Sequence, residues 1–181
     1  MKPYVIAEMG VNFYDTAKKL NINPLEAAKM YIDAAAEAGI DCAKFQSYKA
    51  GTIVSKNSPA YWDLTKEPTK TQYELFLKHD SFGECEYREL CKYTHDKGMD
   101  FTSTPFDYAS ADYLYDMVDF YKISSSDLSN LPFTHHIGAK GKPVFVSVGA
   151  AYLSECDEAI RALQESGCKD IVVFHCVLSY P

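Results

Sequence analysis

The chain of 181 residues weighs 20.3 kDa, which is enough for one domain with a hydrophobic core but hardly for two. Hydrophobic residues make up 47% and charged residues 24% of the chain, which excludes a disordered or low-complexity protein. Its longest apolar runs are far shorter than the roughly 20 residues of a membrane span. A net charge of −7 argues against a nucleic acid partner, although a local basic pocket for a small anion stays open.

Six cysteines are spread along the chain without a CxxC pair or a zinc-like Cys/His spacing. Cys42, Cys168 and Cys176 lie in or beside apolar segments, where free cysteine behaves as a small buried hydrophobe. We therefore expect reduced, structural thiols in a cytoplasmic protein. Because a strand-like run follows the first three residues directly, we also expect no signal peptide.

Short apolar or β-branched runs alternate with amphipathic segments along the whole chain. Six runs are predicted strands: Tyr4–Met9, Cys42–Gln46, Phe101–Thr104, Tyr121–Ser124, Val144–Val148 and Ile171–Cys176. Three helices have readable ends: one from Asn23-Pro24 to Gly39, one from a Ser81/Glu84 capping box to Gly98, and one from Ser154 with Asp157 to Gly167. A strand-helix-strand order predicts an α/β fold with a parallel sheet.

Two closures of such a sheet compete, an open doubly wound sheet and a (β/α)8 TIM barrel. The sequence contains no GxGxxG or Walker A loop, which favours the barrel. A complete barrel takes about 250 residues. We therefore expect residues 1–181 to form a single, incomplete TIM-barrel domain with about six of the eight βα units. The long segment Tyr48–Asp80 breaks the rhythm, either as an insertion on the rim or as a lid over the top of the sheet.

Polar side chains interrupt the apolar runs near the carboxyl ends of the predicted strands, where parallel α/β folds place their chemistry. They are Glu8, Lys44, Gln46, Thr102, Thr104, Lys122, Ser124, Ser147 and His175. One interpretation is a ring of ion pairs and hydrogen bonds that fills the barrel. Another is a receptor for phosphate and carboxylate oxygens between Lys44 and Lys122. A third makes either lysine a Schiff-base nucleophile, and the residues alone do not choose between the last two.

Three histidines receive structural interpretations. The adjacent His135 and His136 point in directions about 100° apart on a helix, so we expect surface residues rather than a metal pair. His175 lies inside an apolar run and is interpreted as a hydrogen-bonded core residue.

Seven segments in fixed order make the sequence similar to one enzyme family. They are Ile6–Asn12, Ala43–Gln46, Thr71–Glu74, Ser103–Asp107, Tyr121–Ser125, Gly141–Ser147, and His175-Cys176 with Ser179–Pro181. On these segments the chain resembles the sialic acid synthases, which condense phosphoenolpyruvate with an N-acetylated amino sugar to form nine-carbon sugar acids. The resemblance covers essentially the whole chain and implies a (β/α)8 barrel.

The resemblance also implies a role for individual residues. Lys44, Thr104, Lys122, Ser125 and Ser147 match phosphoenolpyruvate-binding positions. Glu8 matches the carboxylate at the reacting centre and, with Lys44 and Lys122, forms the expected catalytic set. Gln46, Phe106 and Asp127 match positions near the amino sugar. The resemblance argues against the Schiff-base interpretation, because this family forms no covalent enzyme intermediate.

The implied reaction uses Mn²⁺ or Mg²⁺ as a Lewis acid on the sugar aldehyde. The family's two histidine ligands come from strands beyond residue 181, and its C-terminal antifreeze-like domain, which completes a homodimer, also lies beyond that point. We therefore expect this chain to hold no catalytic metal and to be inactive alone. The acceptor is left open between N-acetylmannosamine, its 6-phosphate and a diacetamido hexose.

Three departures from the family pattern direct attention to the sugar pocket: Phe13-Tyr14 replaces a His-containing turn, Val148-Gly149-Ala150 replaces Thr-Gly-Met, and Leu178 replaces a polar residue. Two alternatives to the synthase remain, a Schiff-base aldolase and a non-catalytic barrel fragment that completes itself against a partner protein.

Overall fold

The computed structural model describes residues 2–178. Its strands are β1 Ile6–Gly10, β2 Cys42–Ser47, β3 Asp100–Pro105, β4 Tyr121–Ile123, β5 Val144–Ser147 and β6 Ile171–Phe174. Its helices are α1 Phe13–Leu20, α2 Pro24–Glu37, α3 Ala50–Ile53, α4 Gln72–Leu77, α5 Glu84–Asp96, α6 Tyr108–Tyr113, α7 Leu131–Gly138 and α8 Leu153–Glu165, with a 3₁₀ turn at Ser125–Asp127. None of the helices in this part of the chain combines the length and apolar character that crossing a membrane requires.

The strands form two parallel three-stranded sheets, β1-β2-β3 and β4-β5-β6. The two sheets meet between β3 and β4, where the Asp119 amide donates to the Phe101 carbonyl at 3.0 Å and the Thr102 hydroxyl donates to the Phe120 carbonyl at 2.6 Å. The predicted α/β class with parallel strands is therefore confirmed. The six strands lie in one continuous arc, and residues 2–178 show no further strand that closes it.

Side chains alternate between the two faces of this arc. Phe45, Phe101, Tyr121 and Val144 are fully buried on the outer face, beneath helices that contribute Ile32, Leu90 and Ile137. Burial of each such side chain contributes roughly 1.5–3 kcal/mol, so this layer accounts for most of the hydrophobic stabilisation. The alternate residues face the concave side of the arc, which leaves that side free to carry polar groups.

Two helices, α5 and α8, are capped at their N-termini by other residues than the sequence predicted. Helix α2 begins as expected, with the Asn23 side chain accepting from the Leu25 amide at 2.8 Å. Helix α5, however, begins after Gly83, whose amide donates to the Glu86 carboxylate at 2.8 Å, so the Ser81/Glu84 capping box was wrong. In the same way the Tyr152 amide donates to Glu155 at 2.8 Å, which places Ser154 inside the first turn of α8.

The segment that departs from the family after β1 is a helix of the core. Helix α1 begins at Phe13, and Phe13 and Tyr14 are 0% and 8% exposed. The Phe13 ring stacks on Phe82 at a centroid distance of 4.9 Å, and the Tyr14 hydroxyl accepts from the Phe82 amide at 3.1 Å. This departure therefore changes core packing and does not reach the concave face.

All six cysteines are free thiols, in agreement with the expected reduced state. Cys42 and Cys168 are buried as predicted, whereas Cys176 is only half-buried. Burial raises the pKa of the Cys42 thiol to about 12, so this residue stays protonated.

Candidate active site

A cleft of about 510 Å³ occupies the concave side of the arc. Every strand contributes to it, because residues two positions apart on a strand share a face. The lining consists of Tyr4, Ile6, Glu8, Lys44, Gln46, Thr104, Phe106, Lys122, Ser124, Ser125, Ser147, Phe174, Cys176 and Leu178. We call it the anion cleft, after the two lysines that it contains.

Lys44 on β2 and Lys122 on β4 supply the positive charge of the anion cleft. They are only 9% and 6% exposed, which is unusual for lysine. Lys44 forms an ion pair with Glu8 and donates to the Thr104 hydroxyl at 3.4 Å. Lys122 donates to the carbonyl of Ile123, which is its only hydrogen-bond partner among the described residues.

The surroundings of Lys122 disfavour its charged ammonium form. Burial, and after it the nearby positive charge of Lys44, lower the pKa of Lys122 to about 8. Cys176, Glu8 and Asp127 oppose this shift. A bound anion between the two lysines compensates both effects, which is the electrostatic property of an anion receptor.

A hydroxyl on the loop after β4 is oriented toward the cleft by a backbone amide. The Gly149 amide donates to the Ser125 hydroxyl oxygen at 3.0 Å, so the Ser125 proton is left free to donate to another acceptor. A Cβ at position 149 lies 3.0 Å from the same oxygen, so a side chain there crowds Ser125. Ser147 and Ser124 line the cleft beside it.

Glu8 faces the cleft together with Ile6, two positions earlier on β1, and the strand becomes irregular directly after it. The pairing with β2 runs in register to Glu8–Lys44 and then shifts, so that Gly10 rather than residue 9 opposes Phe45. Gly10 adopts a φ of +53°, and a Cβ there lies 3.1 Å from a Glu8 carboxylate oxygen and 3.3 Å from the Gln46 amide nitrogen. Only glycine combines this backbone with the close approach of both side chains.

A second cleft of about 430 Å³ adjoins the first and shares Gln46 and Phe106 with it. Its lining is Gln46, Tyr48, Thr52, Ile53, Gln72, Phe76, Phe106, Ser126, Asp127 and Asn130. We call it the acceptor cleft. The half-buried Asp127 has its pKa raised by burial, against the lowering effects of a Ser126 hydrogen bond and the charge of Lys122.

The long segment after β2 forms one wall of the acceptor cleft. Thr52, Ile53, Gln72 and Phe76 all come from it, which favours a cover over the site rather than a rim insertion remote from it. Its two ends are fastened together, since Lys49 donates to the carbonyls of Asp80 and Phe82 at 2.5 and 2.8 Å. The Asp80 carboxylate in turn accepts from the Ala50 amide at 2.9 Å.

The structure brings together the residues that the sequence singled out. Nine of them line the anion cleft: Glu8, Lys44, Gln46, Thr104, Phe106, Lys122, Ser124, Ser125 and Ser147. Asp127 lies in the acceptor cleft instead. Thr102, also expected at this face, is fully buried and uses its hydroxyl to join β3 to β4. Which ligands these residues hold stays a prediction.

Several lining residues were missed by sequence reasoning. Cys176 lies two positions after Phe174 and shares its face, so strand alternation could have placed it in the cleft. Tyr48, Thr52 and Phe76 sit on irregular backbone or short helices without a strand period, and gave no such signal. Ser179–Pro181, part of the family resemblance, lie outside the described residues.

One of the two predictions about the histidines was wrong and the other is confirmed. His175 is exposed, so its interpretation as a core residue was wrong: it follows β6, an edge strand with no neighbour on its outer side within residues 2–178. His135 and His136 lie at the surface as expected, where His136 contacts Asp112 at 2.7 Å and His135 contacts Ser166 at 2.7 Å.

A metal site cannot be built from the part of the chain that the structure describes. Within residues 2–178, no group of three or more His, Cys, Asp or Glu side chains is placed to hold an ion. The side chains present do not fit the Mn²⁺ or Mg²⁺ that the resemblance implies.

Parallel strands that direct buried lysines and hydroxyl groups into a concave cleft define an enzyme-like site of an α/β protein. The comparisons with known proteins agree with this class. The NeuB family model matches residues 31–181, and the chain belongs to that family.

Individual relatives refine the comparison. The chain is 34% identical over 188 residues to the N,N'-diacetyllegionaminic acid synthase of Legionella pneumophila, covering all of this chain and 50% of that protein. It is 35% identical over 179 residues to an uncharacterized protein of Methanocaldococcus jannaschii, covering 98% of this chain and 47% of that protein. The chain thus spans about half the length of the curated relatives it matches.

A solved relative has the same fold. The crystal structure of the N-acetylneuraminic acid synthetase of Leptospira borgpetersenii, in complex with citrate, superimposes with a TM-score of 0.82 at 28% identity. The superposition covers 100% of this chain and 56% of that one. The predicted resemblance to sialic acid synthases is therefore confirmed at the level of the family.

Proposed function

We propose that this chain forms the substrate-binding part of a synthase that condenses phosphoenolpyruvate with an N-acetylated amino sugar, giving a sialic-acid-like nonulosonate and phosphate. The observation that carries the proposal is the junction of the two clefts. Two buried lysines lie on one side of it, an aromatic and amide-lined recess with the single carboxylate Asp127 lies on the other, and Gln46 and Phe106 belong to both. A small dianion and a sugar bound there have their reacting carbons side by side.

In the anion cleft, Lys44 and Lys122 bind the phosphate and carboxylate of phosphoenolpyruvate as point charges. Thr104, Ser125 and Ser147 add directional hydrogen bonds to the same oxygens. The Ser125 hydroxyl is already oriented by the Gly149 amide, so it gives its proton to the ligand without reorganisation.

The reaction is a carbon–carbon condensation with loss of phosphate. The methylene carbon of phosphoenolpyruvate bonds to the aldehyde carbon of the open-chain sugar, and water adds to the cation that develops at carbon 2. The carbon–oxygen bond to phosphate then breaks, and the two protons of water end on the new hydroxyl and on phosphate. Glu8, paired with Lys44 at the junction, moves one of these protons and stabilises the developing cation.

The same proposal includes the surroundings of the site. The six-stranded arc corresponds to six of the eight units of a (β/α)8 barrel, and a homodimer of the complete enzyme operates in the cytoplasm. A divalent Mn²⁺ or Mg²⁺ ion, with histidine ligands beyond residue 181, belongs to that complete enzyme.

Binding of phosphoenolpyruvate to this chain, measured by isothermal titration calorimetry, tests the proposal. Loss of one charged hydrogen-bond partner costs about 1.5–3 kcal/mol, so Lys44→Met and Lys122→Met each weaken binding by about 10- to 100-fold. Lys97→Met is the matched control, because Lys97 pairs with Asp33 on the outer surface. Undetectable binding to the wild-type chain, or equal weakening by the control, overturns the proposal.

One observation favours a second candidate, a Schiff-base aldolase. A buried lysine whose pKa is lowered to about 8, as for Lys122, has a larger neutral fraction and is a better amine nucleophile. Borohydride reduction in the presence of pyruvate distinguishes the two functions. A stable adduct on Lys122 supports the aldolase, whereas an unmodified chain that binds phosphoenolpyruvate supports the synthase.

A further inference from the structure

We propose that the acceptor cleft selects a neutral N-acylated sugar and rejects the corresponding sugar 6-phosphate. This inference rests on the proposed function, and it chooses among the acceptors that the sequence leaves open. It follows from the charge and the chemical character of the ten side chains that line the acceptor cleft.

The charge of the lining is negative. Of its ten residues, Asp127 is the one with a charged side chain at neutral pH, since burial raises the pKa of Tyr48 and keeps that phenol neutral. A phosphate dianion brought into the cleft meets this carboxylate in a partly desolvated space, where like charges repel strongly. A hydroxyl or acetamido group does not incur this repulsion.

Lysines close to the acceptor cleft are engaged elsewhere. Lys49 follows the lining residue Tyr48 in sequence, but its ammonium group donates to the carbonyls of Asp80 and Phe82 at the base of the covering segment. Lys78, at the end of α4, pairs with Glu67 at 2.9 Å and also contacts Thr69. Neither is among the residues that line the cleft, so neither compensates a phosphate. Lys122, whose charge acts on Asp127, lines the anion cleft instead, where phosphoenolpyruvate neutralises it under the proposed function.

The remaining lining suits a neutral acylated sugar. The Tyr48 ring meets Phe76 and Phe106 edge to face at centroid distances of 5.6 and 6.1 Å, which creates an apolar wall for an acyl methyl group or a sugar C–H face. Asn130 and Gln72 supply neutral amide groups for hydroxyl and amide partners.

The position of the acceptor cleft makes this lining a property of the chain itself. Its residues come from the ends of β2, β3 and β4 and the segments that follow them. Strand β2 pairs with β1 and β3, β4 pairs with β5, and two hydrogen bonds join β3 to the chain that enters β4. The cleft therefore lies in the middle of the arc, away from the free edges of β1 and β6.

Ligand-observed NMR with saturating phosphoenolpyruvate, which occupies the anion cleft, tests the inference with N-acetylmannosamine and N-acetylmannosamine 6-phosphate as probes. We expect the neutral sugar to bind at least about tenfold more tightly. Asp127→Asn reduces the ratio of the two affinities by at least about threefold, mainly because the 6-phosphate binds more tightly. Glu74→Gln, an acid on the same covering segment outside the lining, leaves the preference unchanged.

Three other outcomes are possible, and each contradicts either the selectivity alone or the proposed function as well. Equal or tighter binding of the 6-phosphate shows that selection does not follow the charge of the cleft, while the synthase proposal stands. A preference that Asp127→Asn does not alter shows the same. Failure of both sugars to bind, although phosphoenolpyruvate binds, removes the acceptor role of the cleft and with it the proposed function.

Discussion

Raising the pH from 7 to 9 weakens anion binding in the cleft, because Lys122 loses its proton in this range. Burial and the charge of Lys44 lower the pKa of Lys122 to about 8, far below the ordinary 10.5 of lysine. The ammonium form attracts an anion and the neutral amine does not. The affinity is therefore highest below pH 8 and falls as the pH rises through this value.

The size of the effect follows from the protonated fraction of Lys122. With a pKa of about 8, this fraction is about 0.9 at pH 7 and about 0.1 at pH 9, so the affinity falls about tenfold. A bound anion raises the pKa of Lys122, so binding at pH 8 is also accompanied by uptake of about half a proton.

Sulfate is the suitable probe, since it stays doubly charged over the whole range, and calorimetry in buffers of different ionisation enthalpy measures both affinity and proton uptake. Lys122→Met is the control, and we expect its weaker binding to be nearly independent of pH between 7 and 9. A wild-type affinity that is constant over this range, without proton uptake, refutes the electrostatic reasoning.

Three further predictions concern stability and the shape of the site. Lys122→Met raises the free energy of unfolding at pH 7 by up to about 3 kcal/mol, because a lysine pKa lowered from 10.5 to about 8 destabilises the folded state by that amount while the lysine is charged. This gain disappears as the pH rises from 8 to 10.5, since the lysine is then neutral in the folded protein. Denaturant unfolding at several pH values checks both the gain at pH 7 and its loss at high pH. Gly10→Ala and Gly39→Ala each lower the free energy of unfolding by about 1–2 kcal/mol, because both glycines have a positive φ. Only Gly10→Ala also crowds Glu8 and weakens acceptor binding in NMR titrations, since nothing lies within 4 Å of a Cβ at Gly39. Phe13→Ala lowers the free energy of unfolding by about 3–5 kcal/mol in urea and leaves sulfate affinity unchanged at a temperature where the variant is folded, whereas a loss of affinity there contradicts its placement in the core.

Strand periodicity explains how much of the site could be predicted. A parallel strand that is covered on one face and carries Lys44 and Gln46 two positions apart must present both to the other face. The same rule applies to Lys122 on β4, so two lysines on strands of one arc meet across its concave side. The fold class followed from the same alternation of apolar runs and helices.

The parts that could not be predicted depend on backbone irregularity or on tertiary neighbours. The register shift after Glu8 depends on a positive φ at Gly10, which no periodic pattern reports. Both misplaced helix starts arose because a glutamate carboxylate caps the backbone from inside the helix, while the serines that looked like caps were available nearby. The exposure of His175 depends on the sheet edge next to it, which its apolar sequence neighbours conceal.

The hydrogen bonds from Lys49 to the carbonyls of Asp80 and Phe82 fasten the covering segment to the barrel-like body at its base. The lysines and hydroxyl groups of the anion cleft are carried by strands and the turns directly after them, whereas much of the wall of the acceptor cleft is carried by the one segment that Lys49 fastens. Length and composition beyond that base can vary at little cost to the strands. Under the proposed function, exchange of this segment between homologues is expected to change the accepted sugar and to leave the anion cleft unaltered.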